Sequence, residues 1–343
     1  MTDLPRLTDP WMLGDLRVPN RVLLAPLAGI GNWFVRLQAK RYGAGMAVSE
    51  MVSTHAIHHG NEKTHVEMLR IDPRERMNGP VSIQLFGEDP ALMREAAQHV
   101  AGVGADAIDI NMGCPVPKVC KTGAGAALLA DPERAVQLAR AAVEGARGER
   151  GTLPVTVKLR SALRAGDTSG FELAHRLVEE AGVAAIAFHP RSAAVAHKGV
   201  PDYALARRLA RSLPAPVILT GGMSDAASVR AAFVETGVAA VMLARGSLGN
   251  PWLFSELLED RRTPPTRAEV REELDWTIEC AVEHLGEARA TRYLRKFYPW
   301  YVERLQLDAH HAKRLQAVLQ QSETLAPVRA LFARCEEPLA LAV

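Results

Sequence analysis

The sequence is poor in cysteine and has no long hydrophobic run. Its 343 residues include 4 cysteines, none of them in a CxxC pair, which excludes a disulfide framework and favours a reducing compartment. No window approaches the roughly 20 apolar residues that a membrane-spanning helix needs. The amino-terminal segment has acidic residues and no continuous apolar stretch, so it is unlike a signal peptide. We therefore expect a soluble, cytoplasmic protein.

A net charge of either sign is also almost absent. The 41 basic and 39 acidic residues leave a formal charge of +2, which is too small by itself to indicate a nucleic-acid-binding protein. Hydrophobic residues make up 48% of the chain, a proportion that supports a sizeable core and excludes disordered and fibrous classes. A chain of this length can form one large domain with a smaller one, or two of medium size.

Short apolar runs alternate with segments of helical period along the first two thirds of the chain. Such strands, separated by helices, are typical of a parallel sheet covered on both faces. Eight units in about 240 residues predict an α/β fold of the (β/α)8 TIM-barrel type. The alternative, an open doubly wound sheet, usually has a GxGxxG turn after its first strand, and APLAGIG is not one. The predicted strands are Arg21–Ala25, Met46–Met51, Val81–Leu85, Ala107–Asn111, Pro154–Arg160, Ala184–His189, Pro216–Thr220 and Ala239–Ala244.

Helix-start signals and a change of pattern define the remaining organisation. Asp89, Asp131 and Asp225 are predicted to cap helices. The barrel pattern fades after Leu258, where a charged, proline-rich linker, Glu259–Thr266, begins. Thr266 and Glu269 have the spacing of a capping box, which predicts the start of a new helix. We expect a barrel domain over residues 1–260 and an all-helical domain over residues 261–343. The predicted barrel helices are Pro90–Gly102, Pro132–Glu144, Phe171–Ala181 and Ala226–Glu235.

Polar residues and glycines stand where otherwise apolar strands end. In a TIM barrel the functional residues lie at these carboxyl ends, and packing alone does not explain polar residues there. They include Gln84 near the end of the third strand, Asn111 and Cys114 at the end of the fourth, Lys158 near the end of the fifth, and His189 with Arg191 at the end of the sixth.

Two glycine-rich turns predict a phosphate site. Thr220-Gly221-Gly222 follows the seventh strand, and Ala244-Arg245-Gly246 follows the eighth. Backbone N–H groups and helix dipoles in these two loops of a TIM barrel favour an anion, and Arg245 can add a charge-assisted contact. Either turn taken alone could simply be a tight turn, but the two together favour a ligand that contains phosphate.

Lys158, Gln84 and Cys114 are the candidates for chemistry. A lysine at the barrel mouth can stabilise the negative charge of a reduced flavin, and a glutamine matches the pyrimidine edge of its ring. Cys114, in NMGCP, carries a thiol that is mostly protonated at neutral pH and can act as a general acid. The alternatives are a snorkelling surface lysine and a small buried cysteine.

Five further residues receive no catalytic role. We assign no function to Cys120. A loose histidine cluster after the second strand matches no standard zinc site, so a solvated loop is favoured and no metal is expected. The cluster consists of His55, His58, His59 and His65.

The motifs together resemble the tRNA-dihydrouridine synthases, especially the bacterial B-like branch. APLAG, SEMVS, SIQLFG, DINMGCP, GAGAALL, VKLR, HPRS, TGG and LARG occur in that family's order, and RKFYPWY (Arg295–Tyr301) extends the resemblance into the helical part. The resemblance implies a barrel that binds FMN and reduces the C5=C6 bond of particular uridines in tRNA, with NADPH as reductant. It implies that Cys114 protonates C5 while the reduced flavin delivers hydride to C6.

The resemblance also implies a set of contacts. Asn111 and Arg191 would lie near the substrate base. The implied cofactor-binding residues are Pro26, Leu27, Ala28, Gln84, Lys158, His189, Thr220, Gly221, Gly222, Ala244 and Arg245.

Charge segregation supports an RNA partner. Residues 289–334 contain nine basic and three acidic side chains, a net charge of about +6 that could neutralise phosphates. We expect Arg292, Arg295 and Lys296 to contact tRNA. Aromatic residues at helical spacing in this stretch are favoured as core, and the target uridine must be extruded to reach the barrel mouth.

Two other functions remain open from the sequence. One is an FMN-dependent TIM-barrel reductase of a free pyrimidine, similar to dihydroorotate or dihydropyrimidine dehydrogenases, although such a substrate needs no basic helical appendage. The other is a binding protein without catalysis, which the presence of Cys114, Lys158 and His189 disfavours. No membrane and no obligate protein partner are expected.

Overall fold

The computed structural model describes residues 5–76, 79–148, 151–259, 261 and 263–334. Eight parallel strands form a closed barrel in chain order, and the last pairs with the first, which confirms the predicted TIM barrel. All eight predicted strands are present. Their bounds are β1 Val22–Leu24, β2 Met46–Ser53, β3 Val81–Phe86, β4 Ala107–Met112, β5 Val155–Arg160, β6 Ala185–His189, β7 Val217–Thr220 and β8 Ala240–Leu243.

The predicted caps begin the barrel helices. The Asp89 carboxylate accepts hydrogen bonds from the N–H groups of Ala91 and Leu92, and Asp131 and Asp225 cap their helices in the same way. These contacts satisfy N–H groups that have no partner within the first turn. The helices of this part are Trp33–Arg41, Thr54–His58, Pro73–Arg76, Pro90–Gly102, Pro117–Cys120, Pro132–Gly145, Ser169–Ala181, Tyr203–Ser212 and Ala226–Thr236, with a π-helical turn at Thr64–Met68 and 3₁₀ turns at Gly125–Ala130 and Arg245–Ser247.

An apolar cluster fills the amino-terminal end of the barrel interior. A small hairpin, Trp11–Leu13 with Leu16–Val18, precedes β1, and its Trp11, Leu13 and Val18 share a buried cluster with residues at the starts of the strands. The Trp11 indole donates a hydrogen bond to the Asn20 carbonyl oxygen at 3.0 Å. Burial of these side chains stabilises this end of the barrel.

The chain divides into two compact units at the Arg245–Gly246 bond. The predicted boundary lay at residue 260, because the proline-rich linker begins there. The structure assigns the preceding segment to the second unit, where Gly249 lies so close to Trp300 that a Cβ would stand 2.5 Å from the Trp300 Cβ. The helices of this unit are Trp252–Leu258, Arg267–Leu285, Glu287–Leu294, Tyr298–Arg304, Ala309–Gln321 and Leu325–Arg334.

The second unit contains helices and no strand among its described residues. Its longest helix begins with the predicted capping box, in which Thr266 and Glu269 each accept from the other's backbone N–H. In the described part of the chain, no helix has the length and apolar character of a membrane span. The fourth cysteine, Cys335, lies outside the described residues.

Candidate active site

The carboxyl ends of neighbouring strands bring five predicted site residues to one end of the barrel. Gln84 lies in β3, Asn111 in β4 and Lys158 in β5, while His189 and Thr220 are the last residues of β6 and β7. The pairing of β4 with β5 places Asn111 directly beside Lys158. Because paired residues of neighbouring strands point to the same face, these side chains share the barrel mouth.

A hydrogen-bond relay connects the third and fourth strands. The Gln84 amide nitrogen donates to the Asp109 carboxylate at 2.6 Å, and its amide oxygen accepts from the Asn111 side chain at 2.9 Å. The Asn111 amide oxygen then accepts from the backbone N–H groups of Gly113 at 3.2 Å and Cys114 at 2.9 Å. These hydrogen bonds therefore fix which end of the Gln84 amide and which end of the Asn111 amide donates and which accepts.

Lys158 carries an unpaired charge at the mouth. Its side chain is half-buried, and its ammonium group has no hydrogen bond or ion pair with any residue that the structure describes. Burial lowers the pKa of Lys158 to about 8, against the attraction of Asp109. A cation held here without a protein partner is suited to an anionic or electron-rich ligand.

His189 is a neutral imidazole. Burial, with the nearby charges of Lys158, Arg160 and Arg191, lowers the pKa of His189 to about 2. Its ring lies 6.1 Å from the ring of His197 in a stacked arrangement, and its Nε2 is 3.5 Å from an Arg191 guanidinium nitrogen. At neutral pH this imidazole can accept or donate a hydrogen bond without adding to the positive charge.

The turn after β7 requires glycine. Gly221 and Gly222 have φ angles of 97° and 82°, a region that other residues rarely adopt. A Cβ on Gly221 would collide with the His189 ring, and one on Gly222 would lie 2.5 Å from the Pro201 side chain. The Tyr203 hydroxyl donates to the Gly221 carbonyl oxygen at 3.1 Å. Neither position can therefore carry a side chain, and Gly222 is exposed beside the site, where a backbone without side chains permits close approach of a phosphate.

The loop that carries Cys114 is held from several sides. The Cys114 carbonyl oxygen accepts from the Ala126 N–H at 2.9 Å and from the Cys120 thiol at 3.3 Å. Buried Arg160 donates to the Gly113 carbonyl oxygen at 2.8 Å. The Cys114 side chain itself is half-buried, so the loop presents a thiol from a fixed backbone.

The segment 26–28, which supplies three predicted cofactor contacts, forms a turn after β1. The Leu27 carbonyl oxygen accepts from the Gly31 N–H at 2.7 Å. The Gly29 N–H donates to the Glu50 carboxylate at 2.7 Å, which ties this turn to β2. Its predicted role beside a flavin stays a prediction.

Ala244 and Arg245 follow β8, next to the glycine turn after β7. Arg245 is exposed. Burial is the main cause of the lowered pKa values of Arg191 and His197, and the charge of Arg245 also lowers both. The charge of Arg245 therefore acts on side chains of the loop after β6.

The three predicted tRNA contacts belong to the second unit. Arg292 and Lys296 are exposed, whereas Arg295 is half-buried and donates to the Ser322 carbonyl oxygen at 3.1 Å. The Lys296 ammonium lies 4.4 Å from the centre of the Tyr293 ring. Arg295 thus has a structural hydrogen bond within the second unit.

The aromatic residues of the second unit are partly core, as predicted from their spacing. Phe297 and Tyr301 are buried, and the Tyr301 hydroxyl lies 2.8 Å from the Thr277 hydroxyl. Tyr293 and Trp300 are half-buried, and each ring packs against Phe297.

Two of the four histidines after β2 pair with carboxylates. His55 lies 2.8 Å from Glu88, and His58 lies 2.8 Å from Glu95. Among the described residues, no group of three or more His, Cys, Asp or Glu side chains has the arrangement of a metal site.

Sequence reasoning missed three polar residues of the site. Asp109 and Thr156 lie inside the barrel, and Tyr203 holds the glycine turn. A signal existed for Asp109, because it is a carboxylate two residues before Asn111 in an apolar strand and must face the same side. No local signal marks Tyr203, which reaches the turn from the first residue of the helix Tyr203–Ser212.

The chain is similar to known proteins along most of its length. It matches the family described as "Dihydrouridine synthase (Dus)" over residues 23–336. It is 33% identical over 317 residues to "tRNA-dihydrouridine synthase B" from Xanthomonas axonopodis pv. citri, which covers 91% of each chain. It is 33% identical over 326 residues to the protein of that name from Pseudomonas aeruginosa, covering 94% of this chain and 95% of the relative.

Solved structures with a similar barrel share little sequence. A morphinone reductase variant in complex with tetrahydroNAD has a TM-score of 0.55 and 16% identity, over 76% of this chain and 93% of that one. A 2-naphthoyl-CoA reductase complex has a TM-score of 0.56 and 15% identity, over 75% of this chain and 52% of that one. These likenesses concern the fold, whereas the sequence match above is specific: this chain belongs to the dihydrouridine synthase family.

Proposed function

We propose that this protein is a flavin-dependent oxidoreductase that reduces the C5=C6 bond of specific uridines in tRNA to dihydrouridine, using FMN and NADPH. One observation carries the proposal at the level of chemistry. A single barrel mouth combines a thiol on a fixed loop, Cys114, with an unpaired cation, Lys158. Family membership directs this chemistry to uridine in tRNA.

The residues of the mouth fit a flavin with a phosphate. The Lys158 ammonium lacks a protein partner in the described part of the chain, and the Gly221-Gly222 turn has no side chains, with Gly222 exposed. FMN held there supplies two-electron reduction, with NADPH as the source of the electrons. The residues that would hold it are Pro26, Leu27, Ala28, Gln84, Lys158, His189, Thr220, Gly221, Gly222, Ala244 and Arg245.

The protein's own part is to orient the base and move a proton. Asn111 and Arg191 would contact the uracil, and the Cys114 thiol would donate the proton that C5 receives. Lys158 would stabilise negative charge at the ring that Gln84 contacts. The direction of the Gln84 and Asn111 amides, which the relay fixes, keeps these groups ready without rearrangement.

The second unit would bind the tRNA backbone, and its exposed Arg292 and Lys296 are the best candidates for phosphate contacts. Replacing both by glutamine should weaken tRNA binding and lower the slope of log K against log salt by about 2. Arg208→Gln with Arg211→Gln, on the barrel helix Tyr203–Ser212, removes the same charge as a control. An unchanged salt slope would exclude this face. A cytoplasmic location, where tRNA is processed, is part of the proposal.

The first experiment is an absorbance spectrum of the purified protein, followed by NADPH oxidation with and without unmodified tRNA. We expect a flavin spectrum, reoxidation of the reduced protein that tRNA accelerates, and dihydrouridine in the recovered tRNA. Reoxidation by a free pyrimidine but not by tRNA would favour the alternative reductase. A protein without flavin would contradict the assignment of the glycine turns and Lys158 to this cofactor.

A further inference from the structure

A carboxylate lies inside the barrel one layer below the proposed catalytic groups. Asp109 is 1% exposed, and it faces the interior between Gln84 and Thr156, its partners in the neighbouring strands. Its two oxygens accept hydrogen bonds from the Thr156 hydroxyl at 2.5 Å and from the Gln84 amide nitrogen at 2.6 Å. Both oxygens therefore have donors, and neither contact belongs to the proposed reaction.

The carboxylate gives the relay a direction. An ionised carboxylate only accepts hydrogen bonds, so the nitrogen end of the Gln84 amide must face Asp109. The oxygen end is then left for the Asn111 nitrogen, at 2.9 Å. At the far end, the backbone N–H groups of Gly113 and Cys114 only donate, so they fix the Asn111 oxygen toward the loop. Because Asp109 accepts at one end and the loop N–H groups donate at the other, only one orientation of the two amides satisfies every hydrogen bond.

We propose that Asp109 is a positioning residue for this reaction: it sets the orientation of the Gln84 amide, whose oxygen holds the Asn111 nitrogen and, through Asn111, the peptide that carries Cys114. The inference rests on the proposed function, in which Gln84 contacts the cofactor and Cys114 donates a proton. Asp109 acts through these residues and does not touch the reacting atoms itself.

The burial of this carboxylate is unfavourable for folding. Desolvation raises the pKa of Asp109 to about 6, although the hydrogen bonds from Thr156 and Gln84 and the charge of Lys158 favour the ionised form. An apolar residue of similar volume at this place would continue the apolar cluster beneath it. A buried charge that weakens the fold and orders two amides is better explained by the site than by the core.

Two substitutions separate the hydrogen-bond direction from the presence of a side chain. In Asp109→Asn the amide oxygen can accept from Gln84, and the amide nitrogen can donate to the Thr156 oxygen while that hydroxyl turns to the Ile108 carbonyl, 3.5 Å away. Asp109→Leu has nearly the same size and no acceptor, so the Gln84 amide loses the contact that orients it.

The experiment compares these variants with the wild type as full-length, flavin-loaded proteins. The readouts are the single-turnover rate of dihydrouridine formation, the Kd for tRNA, the visible flavin spectrum, and alkylation of Cys114 by iodoacetamide, followed by peptide mass mapping. We expect Asp109→Leu to lose about 10–100-fold in rate through misplaced groups, with an unchanged Kd for tRNA. Its flavin spectrum should shift and Cys114 alkylation should change, while Asp109→Asn stays close to the wild type in all four.

Two results would overturn the proposal. One is a folded Asp109→Leu protein with wild-type rate, spectrum and alkylation. The other is an Asp109→Asn protein as impaired as the leucine variant, which would assign the effect to charge and not to hydrogen-bond direction. If the leucine variant does not fold, Asp109→Ala, which cannot clash, has the same expected result. A wild type that forms no dihydrouridine would contradict the proposed function, while alkylation and spectrum would still test the relay.

Discussion

The two ends of the barrel interior are built from opposite kinds of side chain. The amino-terminal end is an apolar cluster that includes Trp11, Leu23 and Met46, and burying each such side chain stabilises the fold by about 1.5–3 kcal/mol. The carboxyl end contains Asp109 and Lys158, whose pKa values are both shifted by burial toward the uncharged form. One end is thus organised for stability, and the other tolerates groups that oppose it.

A single strand shows how short the distance between these ends is. In β4, Ala107 belongs to the apolar cluster, Asp109 begins the relay, and Asn111 reaches the Cys114 loop. These three residues face the interior because side chains alternate along a strand. Along this strand, positions two residues apart therefore have different roles. Mutations at the amino-terminal end should affect stability, and mutations at the carboxyl end should affect activity.

The largest expected effect is on activity alone, at the mouth. Cys114→Ala should lower dihydrouridine formation by about 100-fold or more, because positioned proton transfer contributes about 10²–10⁴ in rate. Flavin content and the free energy of unfolding should not change, since the side chain is half-buried and the loop is held through its backbone. Single-turnover assays on flavin-loaded protein measure the rate, and urea denaturation measures stability.

Cys280→Ser is a useful control for thiol loss, because Cys280 lies in the helix Arg267–Leu285 of the second unit. Its rate per folded molecule should equal that of the wild type. An undiminished rate in Cys114→Ala would remove Cys114 as the proton donor and leave the mouth without an acid.

At the opposite end, the effect should be on stability alone. Leu23→Ala removes a fully buried side chain of the apolar cluster and should lower the free energy of unfolding by about 2–5 kcal/mol. The rate per folded molecule should stay unchanged when it is measured below the unfolding transition. A variant that stays stable and loses activity would break the separation between the two ends.

At Lys158, in the mouth, we expect the buried charge to lower the stability of the fold. Its pKa in the folded protein is about 8, below the ordinary value of 10.5, so the folded state binds this proton more weakly than the unfolded state does. Below pH 8 the buried charge opposes folding, and this penalty disappears as the pH rises from about 8 to 10.5. Lys158→Met should therefore have a higher Tm than the wild type at pH 7 and lose that advantage toward pH 10.5, while it retains less flavin.

Thermal unfolding across this pH range, with exposed Lys63→Met as the matched control, measures the effect. A Tm difference that does not depend on pH would show that packing and not the titration of Lys158 is responsible.

The sequence was sufficient for features that depend on local physics. Apolar runs predicted all eight barrel strands, and Asp89 and Thr266 cap helices where the residue types indicated. The rule that TIM-barrel function lies at strand ends selected Gln84, Asn111 and Lys158, which the structure brings to one mouth. Their roles toward a flavin remain predictions.

The features that the sequence did not predict depend on contacts between distant segments. The relay needs the register that puts Gln84 beside Asp109, a pairing across 25 residues. The unit boundary differs for the same reason: composition marks the linker after Leu258, but Gly249 packs against Trp300, far along the chain. Cys120 had no assigned role until the turn of its helix placed it on the Cys114 carbonyl oxygen.

The smallest expected effect is at Cys120, and it tests how much of the rigidity at the mouth comes from each contact. Its thiol is a weak donor, and the Cys114 carbonyl oxygen keeps the Ala126 N–H at 2.9 Å when the thiol is removed. Cys120→Ala should therefore slow the reaction by only about two- to fivefold, equivalent to about 0.5–1 kcal/mol. Cys120→Ser restores a donor and should return the rate toward that of the wild type. Neither alanine nor serine is larger than cysteine, so we expect both variants to fold. Equal losses in the two variants would contradict a donor role, and a loss as large as that of Cys114→Ala would place this second thiol at the reacting atoms.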